Sequence, residues 1–485
     1  MNVNSISFNS SYIKKIKNIL EELLYISFPM TLNVGCLRIL NTINISFLSN
    51  KYASIKMIDA LGASLLYLNC TTFIITVGLV ITMDTLCSNA LGANHKYLMA
   101  LYLNRTRLIS FTFMIISILI NQIFALDFIY FLTKDIEIVN YSESFIFKYY
   151  IALFLELAFR INMSYLTIVN KSIVCSIIQI ISTLLHFIWC YIFIYQLNQG
   201  IAGVAYAVII TQALNLILSS MYLYFYNPFP EVHFFINKDC FSGWKEYLKL
   251  GVPVTFTLIS EWLGYEIQSI IAMQAGALDY SIHIILVNLE MLIYSIGLGM
   301  SISVNVRLAD GIVSSDIETC KRKLKIWLIF CFFSMFFISI ILYLIREFII
   351  DVYTKDSKSK EILMNMFYLI CLYIFIENQR IFLLGIFRGL SFLTIPTIIQ
   401  FIFIYVTTIS LSYLLALKFG YGVKGIWIAY FISYLMIYLI FLFLYFKLDF
   451  QHFRNKTLNR IEADKNFLDS KRVLDISKIK NEDQT

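Results

Sequence analysis

The segment LISFTFMIISILINQIFAL, residues 108–126, contains no charged side chain and decides the class of fold. A second uncharged segment, FLTIPTIIQFIFIYVTTISLSYLLA, covers residues 392–416. Each is close to the roughly 20 apolar residues that a helix needs to cross a hydrocarbon core about 30 Å thick. Backbone groups in lipid must be satisfied within the segment, and the alternating polarity of barrel strands is absent, so both segments are predicted to be membrane helices.

The composition extends this prediction to the whole chain. Of 485 residues, 59% are hydrophobic and only 14% are charged, whereas about 25% of a soluble protein is charged. The net charge is +7. The basic residues lie between the hydrophobic segments, so they indicate membrane topology rather than a nucleic-acid partner. We predict a monomeric, all-α protein with about twelve transmembrane helices in a lipid bilayer, either the plasma membrane or an internal organelle membrane.

Three sequence patterns recur in the same order in the two halves of the chain, at offsets of 224, 219 and 222 residues by subtraction of their positions. Such a series indicates duplication, with six helices per half and the substrate path at the interface between the halves. The paired patterns are Phe28-Pro29 with Val252-Pro253, Gly78 and Gly92 with Gly297 and Gly311, and Gly200-Ile-Ala-Gly203 with Gly422-Val-Lys-Gly425.

The predicted boundaries follow from the hydrophobic pattern and the loop charges. We expect a cytoplasmic segment at 1–20, an N-terminal half at 21–228, a cytoplasmic linker at 229–246 and a C-terminal half at 247–448. Basic residues concentrate in alternate loops, which predicts that both termini are cytoplasmic. Residues 449–485 are charged and poor in apolar side chains, so they are predicted to be a cytoplasmic, disordered tail.

Four carboxylates fall inside predicted spans of the C-terminal half: Glu261, Glu266, Glu290 and Glu377. Ionisable groups inside a membrane are costly and usually functional. A carboxyl group in a partly dry cavity can hold a proton from one side and exchange it for an organic cation, with aromatic rings adding cation–π contacts. We predict that the four carry the proton or the substrate, in a cavity lined by Trp262, Tyr265, Gln268, Asn288 and Tyr294.

Helical spacing separates these candidates. Glu266 lies about 140° around the helix from Glu261, so the two need not face one cavity. Glu377 shares a face with Arg380, which can neutralise it. Arg38 in the first span has no acidic partner that the sequence identifies.

Four stretches together resemble the multidrug and toxic compound extrusion (MATE) family, in its eukaryotic-type branch. The resemblance runs from about Glu21 to about Phe446 and is specific only in combination. The stretches are GLVITMDTLCSNALGA at 78–93 with Arg105 downstream, Glu261-Trp262-x-x-Tyr265-Glu266, Leu292-Ile-Tyr294 leading to Arg307, and Gly385-Ile-Phe-Arg388-Gly389.

The resemblance implies two pseudo-symmetric six-helix lobes around a V-shaped cavity, with organic cations, drugs or metabolites exported by alternating access in exchange for protons or Na⁺. It implies transport roles for Glu261 and Glu266, and structural roles for the motif residues Asp84, Gly92, Arg388 and Gly389. The helix 1 aspartate of many prokaryotic members has no counterpart, which favours protons over Na⁺. No metal and no cofactor beyond the proton gradient is expected.

Two alternatives stay open beside the antiporter. A flippase for lipids or lipid-linked oligosaccharides would need several basic residues in its cavity, and Arg38, Arg160 and Arg380 are the candidates. A membrane-embedded enzyme would need a histidine with an acidic or amide partner, and His186 has none nearby in sequence. No ATP-binding motif is present, and a receptor or structural role would not explain carboxylates on three helices. The prediction is a transporter and not an enzyme.

Overall fold

Long apolar helices dominate the computed structural model, which describes residues 3–52, 54–226, 228–229, 238–354 and 356–482. Sixteen α-helices occur in these ranges: α1 Val3–Tyr52, α2 Ile55–Leu68, α3 Ile74–Gly92, α4 Lys96–Thr133, α5 Ile136–Ile168, α6 Ser172–Cys190, α7 Gly200–Tyr226, α8 Trp244–Ala275, α9 Ala277–Ser314, α10 Ile317–Leu344, α11 Arg346–Tyr353, α12 Ser357–Gly389, α13 Thr394–Ile402, α14 Ile409–Tyr413, α15 Gly422–Phe446 and α16 Phe450–Glu482.

Eleven helical segments in the described ranges are long and apolar enough to cross a membrane. The remaining predicted span corresponds to α8, which has 32 residues and carries Glu261 and Glu266 in its middle. It packs beside α3 and α9, which are parts of two of those eleven segments. The predicted fold class, a helical membrane protein of about twelve spans, is confirmed.

Short π-helical turns interrupt three of the spans. Asn69–Phe73 joins α2 to α3, Tyr191–Gln196 follows α6, and two turns, Phe403–Thr408 and Leu414–Lys418, flank α14. A π turn widens the helix locally and is often found at functional sites. The turn between α2 and α3 places Asn69 and Phe73 against the central cavity.

The backbone confirms the internal repeat. Left-handed backbone conformations recur in both halves at positions 221 or 222 residues apart: Asn170 with Ser391, Asn198 with Gly420, and Gly200 with Gly422. Non-glycine residues with positive φ are uncommon, so these pairs are not a general property of the loops. The helices up to α7 therefore form one lobe, the N-lobe, and α8 to α15 form its counterpart, the C-lobe.

The lobes approach each other closely at two related pairs of residues. A Cβ atom on Gly78 of α3 would overlap Thr255 of α8, and a Cβ atom on Gly299 of α9 would overlap Thr31 of α1. The sequence pairing of Gly78 with Gly297 is therefore shifted by two residues, because Gly297 faces Asn378 of α12 instead. Glycine at these positions lets helices from the two lobes pack backbone against backbone.

The structure describes residues 450–482 as a helix, where the sequence predicts a disordered tail. This helix is α16, whose apolar side chains Phe453 and Ile461 are buried. Tyr102 of the N-lobe donates a hydrogen bond to Asp464, and Arg460 donates one to Ser391 beside the C-lobe (3.3 Å). Overall polarity indicated disorder, but a few apolar side chains on one helical face are enough to dock the helix on both lobes.

Candidate functional site

A buried cluster in the C-lobe joins two predicted carboxylates through one arginine. Arg380 Nη2 lies 2.7 Å from Glu261 Oε1 and 2.7 Å from Glu377 Oε1. Arg380 Nε donates to Glu377 Oε2 at 2.8 Å. Gln400 completes the cluster, because its Oε1 accepts from Arg380 Nη1 at 2.8 Å and its Nε2 donates to Glu261 Oε1 at 2.9 Å. We call these four residues the acidic cluster.

Three helices position the acidic cluster. Glu261 comes from the middle of α8, Glu377 and Arg380 from α12 with a spacing of three, and Gln400 from α13. Glu377 and Arg380 have exposed fractions of 1% and 0%, so water does not screen their charges. A buried ion pair is stable only when its remaining donors and acceptors are satisfied, and the bidentate pairing with Arg380 does this.

The charges of the acidic cluster do not balance when both glutamates are ionised. One guanidinium then faces two carboxylates and leaves one net negative charge in a water-poor interior. An uncompensated charge at low dielectric is costly. Uptake of one proton by the carboxylate pair removes that charge, so the arrangement can bind and release a proton.

Glu290 lies in a second layer beside the cluster, among aromatic rings. The Tyr265 hydroxyl donates weakly to Glu290 Oε1 at 3.5 Å and lies 3.0 Å from the Tyr373 hydroxyl. Glu290 is buried, and its other carboxylate oxygen has no hydrogen-bond partner within the described ranges. The ring of Tyr434 lies under the Arg380 guanidinium, 5.1 Å from centroid to Cζ.

A separate cavity of about 200 Å³ lies between the lobes. We call it the central cavity. Of the predicted cavity residues, Trp262 and Tyr294 line it. Its ionisable lining residues are Arg38, Glu156, Arg160, His186 and Arg388. None of the four predicted carboxylates belongs to the described lining of this cavity.

The other predicted cavity residues lie elsewhere. Tyr265 reaches Glu290 and Tyr373, and Gln268 is buried with an amide that has no hydrogen-bond partner in the part of the chain described. Asn288 is exposed, and its side-chain nitrogen donates to the carbonyl of Ile284 in the same helix (2.9 Å). Glu266 is half-buried, away from Glu261, as the 140° separation predicts.

The four motif residues have different environments. Asp84 accepts a hydrogen bond from Ser164 of α5 and lies inside α3, whereas a Cβ on Gly92 would overlap Asp310 of the other lobe. Gly389 packs tightly on the Asn305 carbonyl. Arg388 lines the central cavity, so the structural role predicted for it does not describe its whole environment.

Sequence reasoning missed two members of the sites. Gln400 is the single amide among the apolar residues and two threonines of α13, and a lone amide in such a segment was a usable signal. Arg388 was assigned to a motif and not to a cavity, because its position at the cavity depends on how α12 is placed relative to distant helices. The Thr85 hydroxyl of α3 lies 3.0 Å from Asn305 Oδ1 and 3.2 Å from the Arg388 carbonyl oxygen.

His186 in the wall of the cavity is held by two neutral partners. Its Nε2 lies 2.8 Å from Asn44 Oδ1 and its Nδ1 lies 2.8 Å from Thr211 Oγ1. Among the described residues, no group of three or more histidine, cysteine or acidic side chains could hold a metal ion.

The two lobes, the central cavity and the acidic cluster define a polytopic helical membrane protein with a cavity between pseudo-symmetric halves. The family model described as MatE matches residues 17–192 and 253–414, once in each lobe. The chain therefore belongs to the MatE family, and the predicted family is confirmed. Because this is a family of transporters, membership also supports the prediction that the chain is not an enzyme.

Similar proteins agree with this assignment. Multidrug and toxin extrusion protein 1 of Xenopus tropicalis is 22% identical over 374 residues, which cover 76% of this chain and 64% of that protein. Protein DETOXIFICATION 49 of Arabidopsis thaliana is 28% identical over 308 residues, 62% of this chain and 59% of that protein. The match thus spans less than two thirds of these relatives. The eukaryotic MATE transporter AtDTX14 has a similar structure, with a TM-score of 0.84 and 16% identity over 92% of this chain and 99% of that one.

Proposed function

We propose that this protein is a secondary transporter that expels a small organic molecule in exchange for protons by alternating access. The acidic cluster carries this proposal, because it places two carboxylates on one buried arginine at the centre of the C-lobe. Extrusion is the role that the names of the similar Xenopus protein and its relatives print. The two-lobed fold supplies the interface at which such transporters bind their substrates.

Proton binding can change the structure of the C-lobe through Arg380. When Glu261 takes up a proton, its ion pair with Arg380 weakens and Glu377 keeps the guanidinium through two hydrogen bonds. The ion pair that joins α8 to α12 is then weakened. A helix that is released in one protonation state and held in the other is a two-state element of the kind that alternating access requires.

The hydrogen bonds of the cluster favour protons over Na⁺ as the coupling ion. Glu261 Oε1 accepts from both Arg380 and Gln400, and both oxygens of Glu377 accept from Arg380. These oxygens are occupied by N–H donors and are poorly placed to surround a cation. Organic cations remain the sequence-based prediction for the substrate, although the four carboxylates behind it lie outside the described lining of the central cavity.

Both termini are proposed to be cytoplasmic, as the loop charges predict. Gly92 ends α3 just before the basic loop at Lys96, and it meets Asp310 of the other lobe at this end of the protein. The lobes are therefore in contact at the proposed cytoplasmic side. The plasma membrane and an internal organelle membrane both remain predictions for the location.

A transport assay with the purified full-length protein in liposomes tests the proposal. An imposed pH gradient should drive movement of a labelled organic probe, and Glu261→Gln should lower the initial rate about tenfold or more because the variant cannot take up the proton. Glu143→Gln is the matched control, since Glu143 is exposed on α5 and should retain the rate within about twofold. Equal rates with and without the gradient, or an unimpaired Glu261→Gln, would refute proton coupling. Replacing Na⁺ by K⁺ should change nothing.

The flippase alternative is supported by basic residues in the cavity, but the similar proteins favour export. Arg38, Arg160 and Arg388 line the central cavity, whereas Arg380 is committed to the acidic cluster. The names of the similar proteins print multidrug and toxin extrusion and detoxification, so export of a small molecule is the better proposal.

A further inference from the structure

The central cavity holds more positive than negative charge. Its ionisable lining comprises three arginines, one glutamate and one histidine: Arg38, Arg160, Arg388, Glu156 and His186. Arg160 donates to Glu156 Oε1 from Nε at 3.1 Å and from Nη2 at 2.8 Å, so these two charges offset each other. Arg38 and Arg388 remain, and the lining carries two net positive charges when His186 is neutral.

Arg38 forms no salt bridge with an acidic side chain, although the carboxylate of Glu290 attracts it electrostatically. Its Nη2 donates to the sulfur of Met291 at 3.4 Å, and its Cζ lies 5.4 Å from the ring centroid of Trp262. Among the described side chains it forms no ion pair. A thioether is a weak acceptor, and a guanidinium has five N–H donors in a fork that matches a carboxylate, sulfonate or phosphate. Most of the binding capacity of Arg38 is therefore unused.

Arg388 is buried and equally unpaired. Its exposed fraction is 3%, and within the described ranges its guanidinium makes no hydrogen bond or ion pair. Its Nε is fully enclosed without a partner. A buried guanidinium without an acceptor is unfavourable, and an anion in the cavity would supply that acceptor. Arg388 is thus a polar side chain without a partner, next to a cavity that can supply one.

The rest of the lining is mainly apolar and aromatic. Phe73 of the N-lobe and Leu258, Trp262 and Leu298 of the C-lobe form walls around the arginines. Apolar walls with a few convergent polar groups are typical of small-molecule sites. The shape and charge together suit a ligand with one acidic group on a compact ring or chain.

We propose that the central cavity binds a small amphipathic organic anion, whose carboxylate, sulfonate or phosphate is held by Arg38 and Arg388. This inference rests on the proposed transport function and specifies its substrate class. It differs from the organic cation that the sequence predicts, because the acidic cluster is separate from the cavity. Glu261 and Trp262 are adjacent on α8, yet one faces Arg380 and the other the cavity.

Because the two sites are separate, one substitution should affect proton-driven transport and ligand binding differently. The acidic cluster and the cavity are linked through α8 and through α12, where Arg380 and Arg388 are eight residues, or about 12 Å, apart. Loss of the proton site should stop proton-driven transport and leave ligand binding intact. Loss of a cavity arginine should weaken ligand binding directly.

Binding to the purified full-length protein in detergent tests the substrate class without requiring transport. The probes are labelled benzenesulfonate and labelled phenyltrimethylammonium, which share a phenyl ring and differ in the sign of their charge. Benzenesulfonate should bind saturably and phenyltrimethylammonium should not. Arg38→Gln and Arg388→Gln should each weaken benzenesulfonate binding about tenfold or more, because a charge-assisted hydrogen bond is lost. Arg322→Gln, at an exposed arginine on α10, is the matched control and should bind normally.

Charge reversal provides a second variant with a gain of function. Arg38→Glu should bind phenyltrimethylammonium, and Arg38→Lys should bind benzenesulfonate a few-fold more weakly, since lysine keeps the charge but not the fork. A monodisperse profile in size-exclusion chromatography checks that each variant is folded. If Arg38→Gln does not fold, Arg38→Lys carries the comparison.

The outcomes separate this inference from the proposed function. Saturable binding of phenyltrimethylammonium to the unaltered protein without binding of benzenesulfonate would overturn the anion site, as would unchanged benzenesulfonate binding in both arginine variants. Benzenesulfonate binding that persists without any gradient-driven movement would support the site and refute proton-driven transport. Glu261→Gln should bind benzenesulfonate normally, and loss of binding there would contradict the separation of the two sites.

Discussion

The acidic cluster and the central cavity both place arginine inside the membrane, but they satisfy it in opposite ways. Arg380 meets two carboxylates and one amide within 2.8 Å. Arg388, two turns further along α12, meets no hydrogen-bond acceptor among the described side chains. One arginine is held by the protein and the other is free for a ligand. The contrast shows that burial alone does not distinguish a structural arginine from a binding one, whereas its partners do.

Among the variants that test this contrast, loss of Arg380 should have the largest effect on stability. Arg380→Gln leaves Glu261 and Glu377 buried without a counter-charge, which costs about 3–5 kcal/mol when one partner of a buried pair is lost. We expect a strongly lowered thermal unfolding temperature in detergent, measured by intrinsic fluorescence. The double variant Glu377→Gln with Arg380→Gln should recover part of the loss. An Arg380→Gln protein as stable as the unaltered one would show that the cluster is not a structural unit.

The same substitution at Arg388 should have a much smaller effect on stability. Arg388→Gln leaves no carboxylate unpaired in the described structure, so we expect a change below about 1 kcal/mol, in either direction, because an unpaired buried charge is also removed. The two variants compared side by side in one unfolding assay measure the difference between the regions. Equal destabilisation by both would mean that Arg388 has a structural partner after all.

Glu266 provides an internal comparison on α8. It lies five residues from Glu261, is half-buried, and has no hydrogen bond or ion pair within the described ranges. Glu266→Gln should therefore lower proton-driven transport by less than about threefold, whereas Glu261→Gln should abolish most of it. The initial rates of the two variants in liposomes, normalised to the amount of reconstituted protein, test which glutamate is required for proton-driven transport. A larger loss for Glu266→Gln would move the proton site to the other face of α8.

The smallest effect is expected at Asn288. Its exposed side chain bonds only to its own helix, so Asn288→Ala should change neither ligand binding nor unfolding by more than about 0.5 kcal/mol. The sequence placed it in the cavity, and the binding assay with benzenesulfonate tests that prediction directly. A tenfold loss of benzenesulfonate binding would show that Asn288 belongs to the binding site, as the sequence predicts.

Much of the fold could be predicted from the sequence because membrane spans depend on local composition. The uncharged segments at 108–126 and 392–416 fall within membrane-spanning helical segments, and the spaced glycines predicted the repeat. The two-residue error at Gly297 arose because both Gly297 and Gly299 are plausible partners for Gly78, and only packing against Thr31 distinguishes them. The docking of α16 depends on surfaces of both lobes, which its own polar sequence does not contain.

The site was predicted less completely, for a geometric reason. Helical periodicity assigns residues to faces of one helix, and so it separated Glu261 from Glu266 correctly. It does not say which neighbouring helix a face meets. The pairing of Glu261 with Arg380 joins residues 119 positions apart, and the cavity role of Arg388 depends on how α12 is placed relative to distant helices. Long-range packing of this kind leaves little trace in a single sequence.

The docked C-terminal helix has a thermodynamic consequence for the transport cycle. Because α16 bonds to Tyr102 in the N-lobe and to Ser391 beside the C-lobe, its contacts contribute free energy only to conformations in which those two points keep their separation. Each 1.4 kcal/mol of such preference changes the ratio of the two lobe arrangements tenfold. If the proposed cycle separates these two points, the contacts of α16 favour the arrangement described here over the other, without involving either binding site.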